Sequence, residues 1–151
     1  MRRRNLLQLA LALSPASLLA TRAQAATPAA PDAAKVAYHL ADLDKVDFVL
    51  GNIANHYQGM GGAENVTIAL VIHGPALRAF HTAKASPDVA KRMSEFVKSG
   101  LAASACIHTM KSQNVTLDDL LPGFAVADKG GVVRLAQLQA QGYAYLRPGF
   151  L

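Results

Sequence analysis

The sequence predicts an α/β fold, a three-layer α/β/α sandwich around a five-stranded, mainly parallel sheet. Three observations carry that expectation. Short apolar runs alternate with segments whose apolar residues recur at helical spacing. Val66 to Ile72 is apolar except for Thr67 and rich in β-branched residues, which suits a strand buried on both faces. Strand followed by helix, repeated, calls for parallel strands joined by right-handed helical crossovers, the doubly wound arrangement.

The elements follow in order. Lys35 to His39 reads as a first strand. Asp44 can cap the next helix, in which Val46, Val49, Leu50, Ile53 and Tyr57 share one face and which Gly59, Gly61 and Gly62 end. Val66 to Ile72 is the second strand, and Ala76 to Ala83 reads as a helix with Leu77 and Phe80 inward. Ser86 and Pro87 have the character of a cap and first helical position, ahead of a face of Val89, Met93, Phe96 and Val97 that Gly100 stops. Ala102 to Ile107 is a third buried strand, with a short helix from about Thr109. Thr116 caps another short helix that Pro122 ends, and Phe124 to Ala127 is the fourth strand. Gly130 and Gly131 lead into a helix with Val132, Leu135, Ala136 and Leu138, closed by Gly142, before a fifth strand from Tyr143 to Leu146.

The N-terminus has a different character. Met1 to Asn5 is basic, Leu6 to Ala20 is mainly apolar, and Ala23-Gln24-Ala25 is a small-x-small cleavage site. These are the three parts of a secretory signal, so residues 1–25 are expected to direct export to the periplasm. Arg3-Arg4-Asn5-Leu6-Leu7 also resembles the twin-arginine export pattern, whose cargo crosses already folded. Residues 26–34, with Pro28 and Pro31, read as a flexible linker, and residues 35–151 as one domain. Four of the fifteen Lys and Arg residues lie in the signal, leaving eleven against ten acidic residues. A near-neutral domain lacks the electrostatic footprint of a nucleic-acid binder. After the signal no stretch has the length to span a membrane.

Parallel sheets bind ligands beyond the carboxyl ends of their strands. The predicted strands place His39 and Asp42, then His73, then Cys106, His108 and Thr109, then Gly130 and Gly131 on that rim. Cys106 is the only cysteine, so no internal disulfide can form. A thiolate is a nucleophile and a carrier of transferable sulfur, and the amides of a following helix would lower its pKa. His73 or His108 could orient it or accept its proton. A buried cysteine that packs as a small hydrophobe is the plainer alternative. His39, Asp42, Thr109, Gly130 and Gly131 are candidate binding positions, the glycines because they follow a strand and open a helix. Gly59-Met60-Gly61-Gly62 follows a helix and is a loop, not a dinucleotide fingerprint. No dense metal-ligand motif and no Gly-x-Ser-x-Gly elbow occurs, so neither metal nor cofactor is expected.

Five segments in order carry a family likeness: Val71 to Leu77, Ala105 to Met110, Leu117 to Gly123, Gly130 to Leu135, and Gln139 to Tyr145. Together they resemble the DsrE/DsrF-like family over about residues 36–148. The resemblance implies the three-layer fold, a homo-oligomer such as a trimer or hexamer, and a thiol partner protein. It also implies persulfide relay through a cysteine, a role that only Cys106 can take here. Two functions follow: an exported persulfide carrier or sulfurtransferase using Cys106, or a non-catalytic periplasmic module that binds a small ligand or protein and keeps Cys106 structural.

Overall fold

The structure, a computed structural model, describes residues 33–149. The expected export signal and most of the expected linker lie outside the described residues. Five parallel strands form one sheet: β1 (Ala34–Leu40), β2 (Val66–Ile72), β3 (Ala102–Cys106), β4 (Phe124–Ala127) and β5 (Ala144–Leu146). Their spatial order is β4-β3-β2-β1-β5. Four helices join them: α1 (Val46–Gly59), α2 (Pro87–Lys98), α3 (Ile107–Ser112) and α4 (Gly131–Ala140). Both faces of the sheet carry helices, and the expected sandwich is the one observed.

The two faces are covered unequally. One packs on α1, α2 and the segment Gly74–Phe80, where Leu40, Leu50, Ile53, Ile68, Leu70, Ile72, Leu77, Phe80 and Met93 are almost fully buried. The other face meets α4, whose Leu135 and Leu138 pack on Ala37, Ala69 and Val71. Alternation along the strands also turns His39, Ser104 and Cys106 toward this second face, since Val71 pairs with both His39 and Ser104. The helix after β4 returns across the sheet to deliver β5 beside β1, so the order in which strands are added reverses between β1 and β5 while all strands stay parallel. Ligand sites in such sheets form at that kind of reversal.

Several local expectations are corrected. Asp44 does not cap α1: it lies inside a 3-10 turn, Leu43–Lys45, that precedes the helix. Gly74–Phe80 is a 3-10 helix, although Leu77 and Phe80 point inward as expected. Pro75 near its start and an extended His81 at its end confine it to this short span. The segment capped by Thr116 is likewise only a 3-10 turn, Leu117–Asp119, closed by a Thr116–Asp119 capping box. Val132 is 70 % exposed and Ala136 is exposed, so α4 buries only a narrow stripe. By contrast Ser86 caps α2 as expected, accepting from the Val89 N–H at 3.2 Å.

Candidate functional site

Cys106 closes β3 and is itself the N-cap of α3, which starts at Ile107, two residues earlier than the sequence suggests. That shift matters, because a cap residue faces the unpaired amides of the first turn. Cys106 is 6 % exposed. Burial pushes its thiol up, but hydrogen bonds to the sulfur from the N–H groups of Thr109, Gly131 and His108 and from the Thr109 hydroxyl outweigh it, leaving the thiol below its ordinary value. The Thr109 oxygen accepts the Gly74 N–H at 2.9 Å, which leaves its own proton for the sulfur. Three connections thus meet at one atom: the first turn of α3, the start of α4 and, through Thr109, the loop after β2.

The two glycines at the start of α4 make room for this. A Cβ at Gly131 would lie 3.3 Å from the His73 Cβ and 3.4 Å from the Cys106 Cβ. Gly130 has φ of +99°, and a Cβ there would approach the His108 ring to 3.0 Å. Gly131 therefore brings its N–H to the sulfur while His73 and Cys106 press on it from the two neighbouring strands. A cavity of about 120 Å³ opens on the same face, walled by Ser104, Ala127, Lys129, Gly130 and Arg134 among others. Ala127, in its wall, pairs with Cys106 across the strands, while Cys106 itself does not line the cavity.

His39 and His73 meet directly, Nε2 to Nε2 at 2.5 Å, with ring centroids 4.7 Å apart and ring planes inclined by 24°. The Tyr145 hydroxyl sits 2.6 Å from His39 Nδ1. Burial, then His73 and Arg147, lower the His39 pKa to about 4, with Asp42 opposing. Burial and Arg147 likewise hold His73 below its ordinary value, again against Asp42. Asp42 pairs with Arg147 at 3.2 Å over the imidazole pair.

All eight sequence-predicted positions lie at this end of the sheet, but not in one cluster. His73, Thr109, Gly131 and Cys106 come together. His108 serves the sulfur through its N–H, while its exposed ring covers Gly130. His39 and Asp42 belong to the imidazole pair and its ion pair. Sequence reasoning missed Tyr145 and Arg147. The available signal was their place at the carboxyl end of the last strand, where Tyr145 pairs with Ala37 and so shares the face of His39. Among the described residues no group of three or more His, Cys, Asp or Glu side chains is arranged to hold a metal ion. None of the described helices is long and apolar enough to cross a membrane.

A model of the DsrE/DsrF-like family matches residues 23–148. The chain belongs to the DsrE/DsrF-like family. Solved structures agree with the fold. MTH1491 from Methanobacterium thermoautotrophicum, described as a protein of unknown function, superposes with a TM-score of 0.67 at 26% identity, over 76% of this chain and 99% of that one. The ychN protein from E. coli superposes with a TM-score of 0.54 at 11% identity, over 75% of this chain and 98% of that one. A search of curated proteins gives no match. Membership in the DsrE/DsrF-like family accounts for the sheet.

Proposed function

We propose that the protein is an exported sulfur carrier in which Cys106 holds sulfane sulfur as a persulfide. The observation that carries this reading is the place of Cys106 as the N-cap of α3 against Gly131, where neighbouring N–H groups and the Thr109 hydroxyl hold its thiol below its ordinary value. Donors of this kind favour the thiolate, which is the attacking form. The Cys106 thiolate attacks the outer sulfur of a donor R–S–SH. A new S–S bond forms as the old one breaks, and R–S⁻ leaves with the bonding pair. An acceptor thiolate then attacks the outer sulfur of the Cys106 persulfide, and Cys106 leaves as thiolate. Neither step needs an oxidant or a reductant. The same donors that hold the resting thiolate hold it again as leaving group.

Residues 1–25 take the domain to the periplasm, by the twin-arginine route if Arg3 and Arg4 are read as such. The carrier acts as a homo-oligomer, a trimer or hexamer, and passes sulfur to a thiol partner protein. Exposed Val132 and Val133 on α4 offer apolar surface to a neighbouring copy.

The test is intact-mass measurement of the mature protein after incubation with a glutathione persulfide donor. The expected result is the gain of one sulfur atom, lost in Cys106→Ser. No gain from a thiol that alkylates readily would overturn the reading. The low exposure of Cys106 supports a second one, a binding module with a structural cysteine. Its mark is a thiol that resists alkylation in the folded protein and reacts once unfolded. Cell fractionation checks location: the mature chain is expected in the periplasm, with retention inside when Arg3→Lys and Arg4→Lys are combined.

A further inference from the structure

Beneath α4, four adjacent strands each offer one polar side chain at or just past their carboxyl ends. These are Cys106 of β3, His73 after β2, His39 of β1 and Tyr145 of β5. The last three are in hydrogen-bond contact, at 2.5 Å between the imidazoles and 2.6 Å between His39 and the phenol. Two ring nitrogens this close need one proton between them, since two lone pairs or two N–H groups would repel. The tautomer of one ring therefore dictates that of the other. If Tyr145 donates to His39 Nδ1, His39 donates from Nε2 and His73 carries its proton on Nδ1. If His39 Nδ1 donates to the phenol oxygen, His73 donates from Nε2 and its Nδ1 is bare.

We propose that Tyr145, His39 and His73 form a proton relay that carries a proton from the exposed edge of the sheet to His73, which borders the same Gly131 position as Cys106. Its use rests on the carrier reading. The thiolate R–S⁻ expelled by Cys106 takes the Nδ1 proton of His73 and leaves as R–SH. His73 Nε2 receives the proton of His39 Nε2, His39 Nδ1 receives the phenol proton, and Tyr145 recovers one from water. Each ring gives one proton from one nitrogen and takes one at the other, and no ring has to stay charged. Tyr145 is 41 % exposed whereas His39 is 8 % exposed, so the phenol is the end that meets solvent. The depressed pKa values of both rings keep them neutral near pH 7, the state in which a tautomer relay runs. The charged groups facing them are Arg147, which opposes a positive ring, and Asp42, which favours one. His39 and Tyr145 act through His73 and are positioning residues.

The experiment is ¹⁵N-histidine NMR of the mature protein, native and Tyr145→Phe, combined with sulfur-transfer kinetics. The expected spectrum has a scalar coupling across the two Nε2 atoms. Removing the phenol should move the nitrogen shifts of both His39 and His73, although Tyr145 touches His39. Shifts confined to His39, separate titration of the two rings near their ordinary value, or one zinc bound per chain with both Nε2 signals displaced would each overturn the relay. In kinetics, Tyr145→Phe and His39→Gln should slow transfer from a donor with a weakly acidic leaving thiol by about a hundredfold. A donor with a strongly acidic leaving thiol needs no proton and should show little loss. Equal loss with both donors would mark a structural role and overturn the relay. Should Cys106 take up no sulfur, the carrier reading fails, while the NMR result still decides whether the proton is shared.

Discussion

At the scale of single residues, hydrogen-bond donors decide the chemistry. Thr109 links the Gly74 N–H to the Cys106 sulfur, accepting from one and donating to the other. Thr109→Val keeps the shape and removes both bonds. The thiol pKa should rise and alkylation at pH 7 should slow several-fold, read by iodoacetamide kinetics against pH. The sign for stability follows from the depressed thiol pKa. The bound thiolate stabilises the fold fully above the unfolded value of 9.0, and that contribution is lost as pH falls through the folded value. His39 works in a lower window. Its folded pKa of about 4 lies below the ordinary 6.5, so its contribution is complete above pH 6.5 and drains away as pH falls toward 4. The urea midpoint of the native protein should drop across that window, and His39→Gln should flatten the drop.

At the scale of elements, the joints between strands and helices hold the site. β3 passes into α3 with no loop residue, because Cys106 is both the last strand residue and the helix cap. α4 starts on glycines because His73, Cys106 and His108 occupy the space that side chains would need. Gly131→Ala separates site from fold. Alanine suits a helix better than glycine, which favours stability by up to about 1 kcal/mol. Its Cβ, however, must displace His73 or Cys106 by a few tenths of an ångström. Denaturation should therefore stay within about 1 kcal/mol of native, while thiol reactivity falls as the Gly131 N–H is pushed from the sulfur. Unchanged reactivity would show that this amide contributes little.

Across the whole molecule, unequal cover of the sheet explains why the site lies where it does. The face under α1 and α2 is filled by large apolar side chains, whereas α4 seals the other face with only Leu135 and Leu138. That leaves the strand ends on this face to smaller and polar side chains, and His39, Ser104 and Cys106 lie buried there. Leu138 is 1 % exposed and holds that helix down. Leu138→Ala should cost about 2–5 kcal/mol, measured by urea denaturation. Loosening α4 should also raise the thiol pKa, coupling core packing to sulfur chemistry through Gly131.

The sequence by itself determined the five strands, their order along the chain, and the gathering of Cys106, His73, His39 and Thr109 at one end of a parallel sheet. Those features are local: β-branched runs, helical spacing, and glycine or proline at the joints. Only the tertiary structure decided that the strand after the second glycine pair lies next to β1. That placement brings Tyr145 and Arg147, more than a hundred positions away in sequence, to His39 and Asp42. The tertiary structure also decided that Cys106 rather than a later residue caps α3. The physical reason is shared. Strand neighbours and cap positions are set by which surfaces bury together and which amides remain unpaired, and neither quantity is carried by residue spacing.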